Sequence, residues 1–446
     1  MISVCINPPN RDRHPGNDMF TSEFSKEGLQ SAFRRVDNGH YEFARNHHHR
    51  NLYIADIANK IQTGTFDFSH IKKKTIRDFY AYRTSKLGDE LVLRRLTAVI
   101  SQAYRIKQAD RTAIVKQIIS LIEEGAPKYI LRLDVASFYE TIDRQRVLNK
   151  IREDRSISNH SLSLLEKFFG RLTAVLPNGL PRGMGLSAAL SELYLADLDK
   201  KIRQTPGVYY FARYVDDIII FLNSNPSELQ ENIEQWLPPG MTLNKKKCLS
   251  FYIGCRCTHL CIHQPKPCPC TGKKCTCKPS KDKEHQLDYV GYRIYFSDVI
   301  KDGRSPQAST IRISEKKIKR IKSRITLAFL AFRGDHKFDL LYQRIRFLTE
   351  NHTLKAAMSK GNLKTGIRYN YPLITDKADL ENLDIFLRNT LFSSKKTFGL
   401  KLHPLLNFAQ RAALQKLSFV SGFNANRSRR LPSTLVKTIR KCWKHA

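Results

Sequence analysis

Three aspartates stand where strand-like segments end, and their pattern suits chemistry that uses two metal ions. Asp134 follows the strand-like residues 129–133, and Asp216 and Asp217 lie at the tip of a predicted hairpin over residues 209–222. Carboxylates gathered from neighbouring strands can hold two Mg²⁺ ions, which activate a hydroxyl nucleophile and neutralise a triphosphate during in-line displacement. Adjacent aspartates also occur simply as turn formers. The pair therefore carries weight only together with its surroundings.

The elements that must position these acids follow in the order strand, helix, hairpin. Residues 51–124 have mainly helical apolar spacing, with a strand-like interruption around residues 79–82. Between the two acidic segments, residues 187–202 predict one helix with an apolar face. Further on, Ser314 is a plausible N-cap for a basic helix with an isoleucine stripe.

The charge balance indicates the class of partner. The chain has 446 residues, with 76 Lys and Arg against 41 Asp and Glu, giving a formal net charge of +35. Such a chain repels itself unless it meets a polyanion, and nucleic acid is the first expectation. A ribosome-associated or a membrane-surface protein is the alternative. No apolar run approaches the roughly 20 residues that span a bilayer, and residues 1–13 lack an apolar signal core, so we expect a cytoplasmic protein without membrane partners.

The hairpin and the first acidic segment carry a resemblance to a known family. Residues 211–220 read FARYVDDIII and resemble the YxDD hairpin of reverse transcriptases, with Tyr214 in the tyrosine position. Residues 134–139 read DVASFY and are similar to the first palm motif of the family. The resemblance implies that Val135 and Tyr139 bind the nucleotide and that the Tyr139 ring blocks a 2′-hydroxyl. A purely structural role for Tyr139 in the core is the alternative.

A third motif lies before the predicted helix. Residues 176–187 read LPNGLPRGMGLS and resemble the template-binding and nucleotide-binding loop of the family. The resemblance implies that Gly183 and Ser187 bind the nucleotide, while Pro181 and Arg182 face the template or primer. Relatives usually have Gln where this chain has Arg182, and an Arg in that position suits a phosphate contact.

Two downstream motifs and the basic N-terminal part complete the resemblance. Residues 243–247 look like the lysine motif of the family. The resemblance implies that Lys247 lies near the leaving pyrophosphate and protonates it. An ordinary basic turn is the alternative. Residues 287–292, with Gly291, resemble the primer grip. Upstream, Lys74 and Arg77 fall where the family supplies cations to the triphosphate.

A cysteine-rich segment interrupts the chain between the lysine motif and the primer grip. Eight of the ten cysteines lie between Cys248 and Cys277, which in a reducing compartment is typical of metal binding rather than disulfides. The segment has ligands for one or two closed tetrahedral Zn²⁺ sites, although the ligand sets stay open. The candidate zinc ligands are Cys255, Cys257, Cys261, Cys268, Cys270, Cys275 and Cys277.

The fold class implied is α+β, a right-hand polymerase with fingers, palm and thumb, a cysteine-rich insertion and a helical C-terminal region. The expected segments are an N-terminal extension and fingers (1–125), the palm with some finger elements (126–247), a zinc insertion (248–285), primer-grip strands (286–305), the thumb (306–375) and a basic helical C-terminal region (376–446).

The expected function is RNA-directed DNA polymerisation with two Mg²⁺ ions. Residues 366–372 read GIRYNYP and look similar to the C-terminal region of bacterial antiphage reverse transcriptases, which implies a defence role. Implied partners are a dedicated non-coding RNA template, deoxynucleotides and the DNA product, together with a second reverse transcriptase or another protein in a larger assembly. A retron or group II intron type of reverse transcriptase and a non-catalytic RNA-binding scaffold are the alternatives.

Overall fold

A computed structural model describes residues 23–76, 79–107, 109–124, 128–253, 284–297, 308–355, 362–392 and 397–443. In chain order the helices are α1 (Lys26–Ala32), α2 (Asp37–His40), α3 (His47–Gln62), α4 (Leu87–Ala103), α5 (Arg111–Glu123), α6 (Arg144–Asp154), α7 (Asn159–Thr173), α8 (Gly185–Tyr194), α9 (Ala196–Gln204), α10 (Ser227–Trp236), α11 (Glu315–Asp335), α12 (Phe338–Thr349), α13 (Ile367–Asn370), α14 (Ala378–Phe392), α15 (Thr397–Leu402), α16 (Phe408–Gln415), α17 (Phe419–Asn424) and α18 (Ser433–Arg440). The strands are β1 (Lys72–Ile76), β2 (Phe79–Arg83), β3 (Lys128–Asp134), β4 (Val208–Tyr214), β5 (Asp217–Leu222), β6 (Leu249–Ile253), β7 (Glu284–Tyr289), β8 (Tyr292–Ser297), β9 (Thr310–Ile313), β10 (Asn351–Lys355), β11 (Asn362–Gly366) and β12 (Arg429–Arg430).

The chain forms two compact units. Unit 1 combines residues 1–110 with 128–252, and unit 2 combines residues 111–127 with 253–446. This division is coarser than the six expected segments, which stay a prediction. The candidate zinc ligands between residues 255 and 277 lie outside the described residues.

A four-stranded sheet with the order β4-β5-β3-β6 organises unit 1. From Ile218 onwards every residue of the central strand β5 is buried, because the strand has neighbours on both edges and apolar side chains on both faces. Helices α8 and α9 lead into β4, and a separate hairpin pairs β1 with β2. The predicted hairpin over residues 209–222 and the strand near residues 79–82 are both present.

The prediction of one continuous helix over residues 187–202 is wrong. The chain forms α8 and α9 instead, and it breaks at Leu195, which is fully buried. The Leu195 amide donates to the Ser191 carbonyl, and the Leu195 carbonyl accepts from the Asp199 amide, so hydrogen bonding continues through the break. The apolar spacing also continues across it, and periodicity alone therefore gave no sign of the break.

Unit 2 contains two small sheets and the basic helix expected after Ser314. The sheets have the orders β7-β8-β9 and β11-β10-β12. Helix α11 begins at Glu315 and buries Ile318 and Ile325, as its spacing predicted, but the Ser314 side chain makes no capping hydrogen bond. No helix within the described ranges is long and apolar enough to cross a bilayer.

Candidate active site

Strand pairing brings the three candidate acids to one end of the unit 1 sheet. Asp134 is the last residue of β3 and pairs in register with Asp217, the first residue of β5. On the other side, Asp217 pairs with Tyr214 of β4. The Val135 amide donates to the Asp216 carbonyl at 3.0 Å, so the chain after β3 is fastened to the hairpin tip. Asp134 and Asp217 therefore lie on neighbouring strands, and Asp216 lies in the turn that precedes Asp217.

The hairpin tip has an uncommon backbone conformation. Val215 has a φ of +62°, in the left-handed region that a β-branched side chain rarely adopts. Such a conformation costs about 1–3 kcal/mol and persists only where surrounding contacts fix it. One of those contacts is a 3.3 Å hydrogen bond from Arg213 Nη1 to the Val215 carbonyl.

Arg213 is the centre of a buried ionic network that sequence reasoning missed. Its guanidinium donates to both carboxylate oxygens of Asp199, at 2.9 and 2.8 Å, and to both of Glu192, at 3.1 and 2.7 Å. Burial alone would lower the pKa of Arg213, but the charges of Asp199 and Glu192 outweigh that effect and raise the pKa above its ordinary value. Helices α8 and α9 are thereby tied to the hairpin that carries Asp216.

Each of two acids has its own cation. Lys247 Nζ lies 2.9 and 2.8 Å from the two carboxylate oxygens of Asp134, whose side chain is only 5% exposed. Arg132 Nη2 lies 3.0 Å from Asp217 Oδ1. Burial, and then the charge of Asp217, raise the pKa of Asp216. Negative charge at Asp216 is therefore the least compensated of the three.

Among the residues that the structure describes, no three His, Cys, Asp or Glu side chains form a ready-made metal cage. This does not conflict with a magnesium site, because Mg²⁺ binds through one or two carboxylates together with substrate phosphates and water. The donor chemistry of Asp134 and Asp216 fits that mode of binding.

Tyr139 lies beside this acidic cluster and beneath a cation. Burial, followed by the charge of Glu192, raises the pKa of its hydroxyl, and Asp216 adds to the same effect. The ring packs edge-to-face on Phe138, with 5.1 Å between centroids. The Arg182 guanidinium lies 5.8 Å from the Tyr139 ring centroid.

The loop over residues 176–187 is built against the first palm motif. A side chain at Gly179, which has a φ of +78°, would place its Cβ 2.6 Å from the Glu140 Cα, so the loop needs glycine there. The Ser187 hydroxyl donates to the Pro181 carbonyl at 2.7 Å and is buried. Ser187 thus closes the turn that contains Pro181.

Arg182 contacts protein groups on both sides. Its guanidinium forms a two-pronged ion pair with Glu140, at 2.5 and 2.9 Å, and lies 5.3 Å from the Phe79 ring centroid. Its carbonyl accepts from the Tyr82 amide at 3.0 Å. Gly183 lies next to Ala81, which belongs to strand β2 together with Phe79 and Tyr82. The loop and the β1–β2 hairpin therefore share one surface of unit 1.

Of the two cations predicted to bind the triphosphate from this hairpin, the structure describes one. Lys74 is exposed on β1 and pairs with Ala81, whereas Arg77 lies outside the described residues.

Within unit 2, Gly291 has a φ of +92° in the turn between β7 and β8. Arg111 fixes this turn by donating from Nε to the Val290 carbonyl at 2.8 Å.

A family model described as reverse transcriptase (RNA-dependent DNA polymerase) matches residues 71–294, about half of the chain. The chain belongs to the reverse transcriptase family, which the family model describes as RNA-dependent DNA polymerases. The match spans the acids, the loop over residues 176–187, Lys247 and Gly291.

Solved structures that are similar to the chain include two telomerases. One is apo telomerase from Candida tropicalis truncated from the C-terminal domain, with 10% identity, a TM-score of 0.31, and coverage of 50% of this chain and 44% of that one. The other is telomerase from Candida albicans in complex with a TWJ fragment of telomeric RNA, with 13% identity, a TM-score of 0.35, and coverage of 94% and 68%. The chain thus spans less than half of the first. No curated protein sequence matches it.

Proposed function

We propose that Asp134, Asp216 and Asp217 form the magnesium-dependent centre with which this polymerase extends a DNA primer on an RNA template. The observation that supports it most is the strand register, which aligns Asp134 with Asp217 and places Asp216 at the adjoining tip. The strained turn at Val215 adds support, because backbone strain held by its surroundings is typical of functional sites.

Asp134, Asp216 and Asp217 are the proposed ligands for two Mg²⁺ ions. When bound, the ions supply activation of the primer 3′-hydroxyl and neutralisation of the triphosphate. Lys247 Nζ, which contacts Asp134, is positioned near any phosphate held at these acids and is the proposed proton donor to the pyrophosphate.

The remaining site residues have proposed roles in binding. Val135 and Tyr139 contact the incoming nucleotide, and Tyr139 selects against a 2′-hydroxyl. Gly183, Ser187, Lys74 and Arg77 complete the nucleotide pocket. Pro181, Arg182, Tyr214 and Gly291 support template and primer. For Arg182 we propose that contact with nucleic acid competes with its ion pair to Glu140.

The cysteine-rich segment is proposed to bind Zn²⁺ through a subset of Cys255, Cys257, Cys261, Cys268, Cys270, Cys275 and Cys277. Thiolates in a polar segment gain order from a tetrahedral metal that they cannot gain from a core. Elemental analysis of the purified protein would give at least one zinc per chain, and a metal-free protein would contradict this proposal.

We further propose that the enzyme acts in antiphage defence in the cytoplasm, with a dedicated non-coding RNA as template and with a second polymerase or another protein in its assembly. The similarity of residues 366–372 to antiphage reverse transcriptases supports this role. A retron-type RNA or a ribozyme encoded beside the gene would instead indicate the retron or group II intron type.

The decisive experiment compares wild type with Asp216→Asn and the matched control Asp197→Asn. Asp197 is 73% exposed and pairs only with Lys150 among the described contacts. Each protein is purified with its RNA and given Mg²⁺ and one labelled deoxynucleotide at a time. We expect DNase-sensitive product from wild type and Asp197→Asn, none from Asp216→Asn, and none after EDTA. Product from Asp216→Asn would contradict the assigned centre, and phage protection by folded Asp216→Asn would favour a scaffold.

A further inference from the structure

Unit 2 contains a concave site built from the C-terminal part of the chain. It is a cavity of about 400 Å³ where the end of α12, the start of β10, helix α17 and strand β12 meet. Its lining residues run from Arg346 to Arg429, beyond residues 71–294 that the family match covers. The reverse transcriptase motifs therefore do not account for it.

The lining carries an excess of positive charge. It contains four cationic residues and one carboxylate, that of Glu350; the cationic residues are Arg346, Lys416, Arg427 and Arg429. Glu350 is paired with Arg346, at 2.8 Å from Nε. Burial, followed by the charge of Arg346, lowers the pKa of Arg429, although the charge of Glu350 opposes this effect, so Arg346 and Arg429 repel one another. An anion within the cavity would relieve that repulsion.

The walls of the cavity are held rigidly before any ligand arrives. Helix α17 packs so closely on α12 that a Cβ at Gly422 would lie 1.8 Å from the Thr349 carbonyl oxygen. Asn351 Nδ2 donates to the carbonyls of Gly422 and Ala425, at 2.8 and 3.2 Å. A preformed pocket loses less freedom on binding than a flexible one and suits a specific ligand group.

The chemistry of the lining favours a phosphate over a nucleobase. Arginines and a lysine bind phosphate oxygens, and the Ser421 hydroxyl adds a neutral donor. Among the described lining residues there is no aromatic side chain on which a base would stack. The volume exceeds that of one phosphate group and leaves room for the backbone on either side of it.

We propose that this cavity binds a backbone phosphate of the RNA that the enzyme carries, as an anchoring site separate from the reaction centre. This inference rests on the proposed RNA partner. Strand β12 supplies a matched control, because Arg429 lines the cavity, whereas its neighbour Arg430 is exposed and is not part of the lining.

The test measures binding of a short fluorescein-labelled oligouridylate RNA to the full chain by anisotropy over a range of salt concentrations. The variants are Arg427→Gln, Arg429→Gln and Arg430→Gln. We expect the two cavity variants to bind about tenfold more weakly, with the log–log salt slope reduced by about 1, and Arg430→Gln to differ by less than about twofold. Arg427 is exposed, so its variant is informative even if Arg429→Gln is less stable.

Equal losses in all three variants would overturn the proposal, because they would indicate a diffuse basic surface. The same variants are also tested for binding of inorganic phosphate and of an oligodeoxythymidylate. Arginine-dependent binding of either one without any effect on RNA would assign the cavity to free phosphate or to DNA. Extension of a short primer–template should persist in Arg427→Gln, and RNA affinity should persist in Asp216→Asn. Failure of the anchor is thereby distinguished from failure of the polymerase centre.

Discussion

Replacing Arg213 by methionine should destabilise unit 1 and displace the hairpin that carries Asp216. The Arg213 side chain is 2% exposed, and its partners Asp199 and Glu192 are 7% and 23% exposed. Removing one member of a buried ion pair costs about 3–5 kcal/mol, because the remaining charge has no partner. Since Glu192 retains some contact with water, we expect the lower part of that range, about 3–4 kcal/mol.

Urea unfolding of wild type, Arg213→Met and Arg213→Lys would measure this loss. Lysine keeps the charge but cannot form both two-pronged pairs, so Arg213→Lys should lie between the other two. The exposed Arg35 gives a control, and Arg35→Met should change stability by less than about 0.5 kcal/mol. A loss below about 1 kcal/mol would refute the reasoning.

Three further results are expected. Tyr139→Ala should lower the preference for deoxynucleotides over ribonucleotides by at least about tenfold in single-nucleotide extension, and an unchanged ratio would leave Tyr139 as a core residue. Burial lowers the pKa of His352, so the unfolded chain takes up a proton first as pH falls through about 6.5, and stability falls with it. His352→Gln should flatten that slope in urea titrations between about pH 7 and pH 5. Gly422→Ala should cost at least about 2 kcal/mol and weaken RNA binding because of its clash with Thr349, whereas Gly334→Ala, which has open space, should be neutral or stabilising.

The sequence was most informative where the relevant signal is local. Alternating apolar residues and an acidic turn identify the hairpin around Asp216, and the strand before Asp134 is equally plain. Arg213 was missed because its partners Asp199 and Glu192 lie on helices, where charged residues are usually solvated. Nothing in the sequence pattern marks them as buried.

Contacts between distant segments were also beyond the reach of pattern alone. Lys247 was expected near the pyrophosphate, and the structure adds its pairing with Asp134. Arg182 was expected to suit phosphate, but its pairing with Glu140 depends on how the loop folds against the palm motif. The basic residues Arg429 and Arg430 are adjacent in sequence, and only strand alternation shows that they differ in environment.

The order of the two units along the chain has a consequence for synthesis on the ribosome. The polypeptide passes from unit 1 to unit 2 and back before residue 128, and crosses again after residue 252. Helix α5 buries Ile114, Val115, Ile118 and Ile122 within unit 2, most of which is translated more than a hundred residues later. During synthesis, the apolar face of α5 therefore stays without its unit 2 partners until unit 1 has been translated. A chain that stops at residue 252 would lack the residues of unit 2 that follow unit 1 and would leave this face exposed.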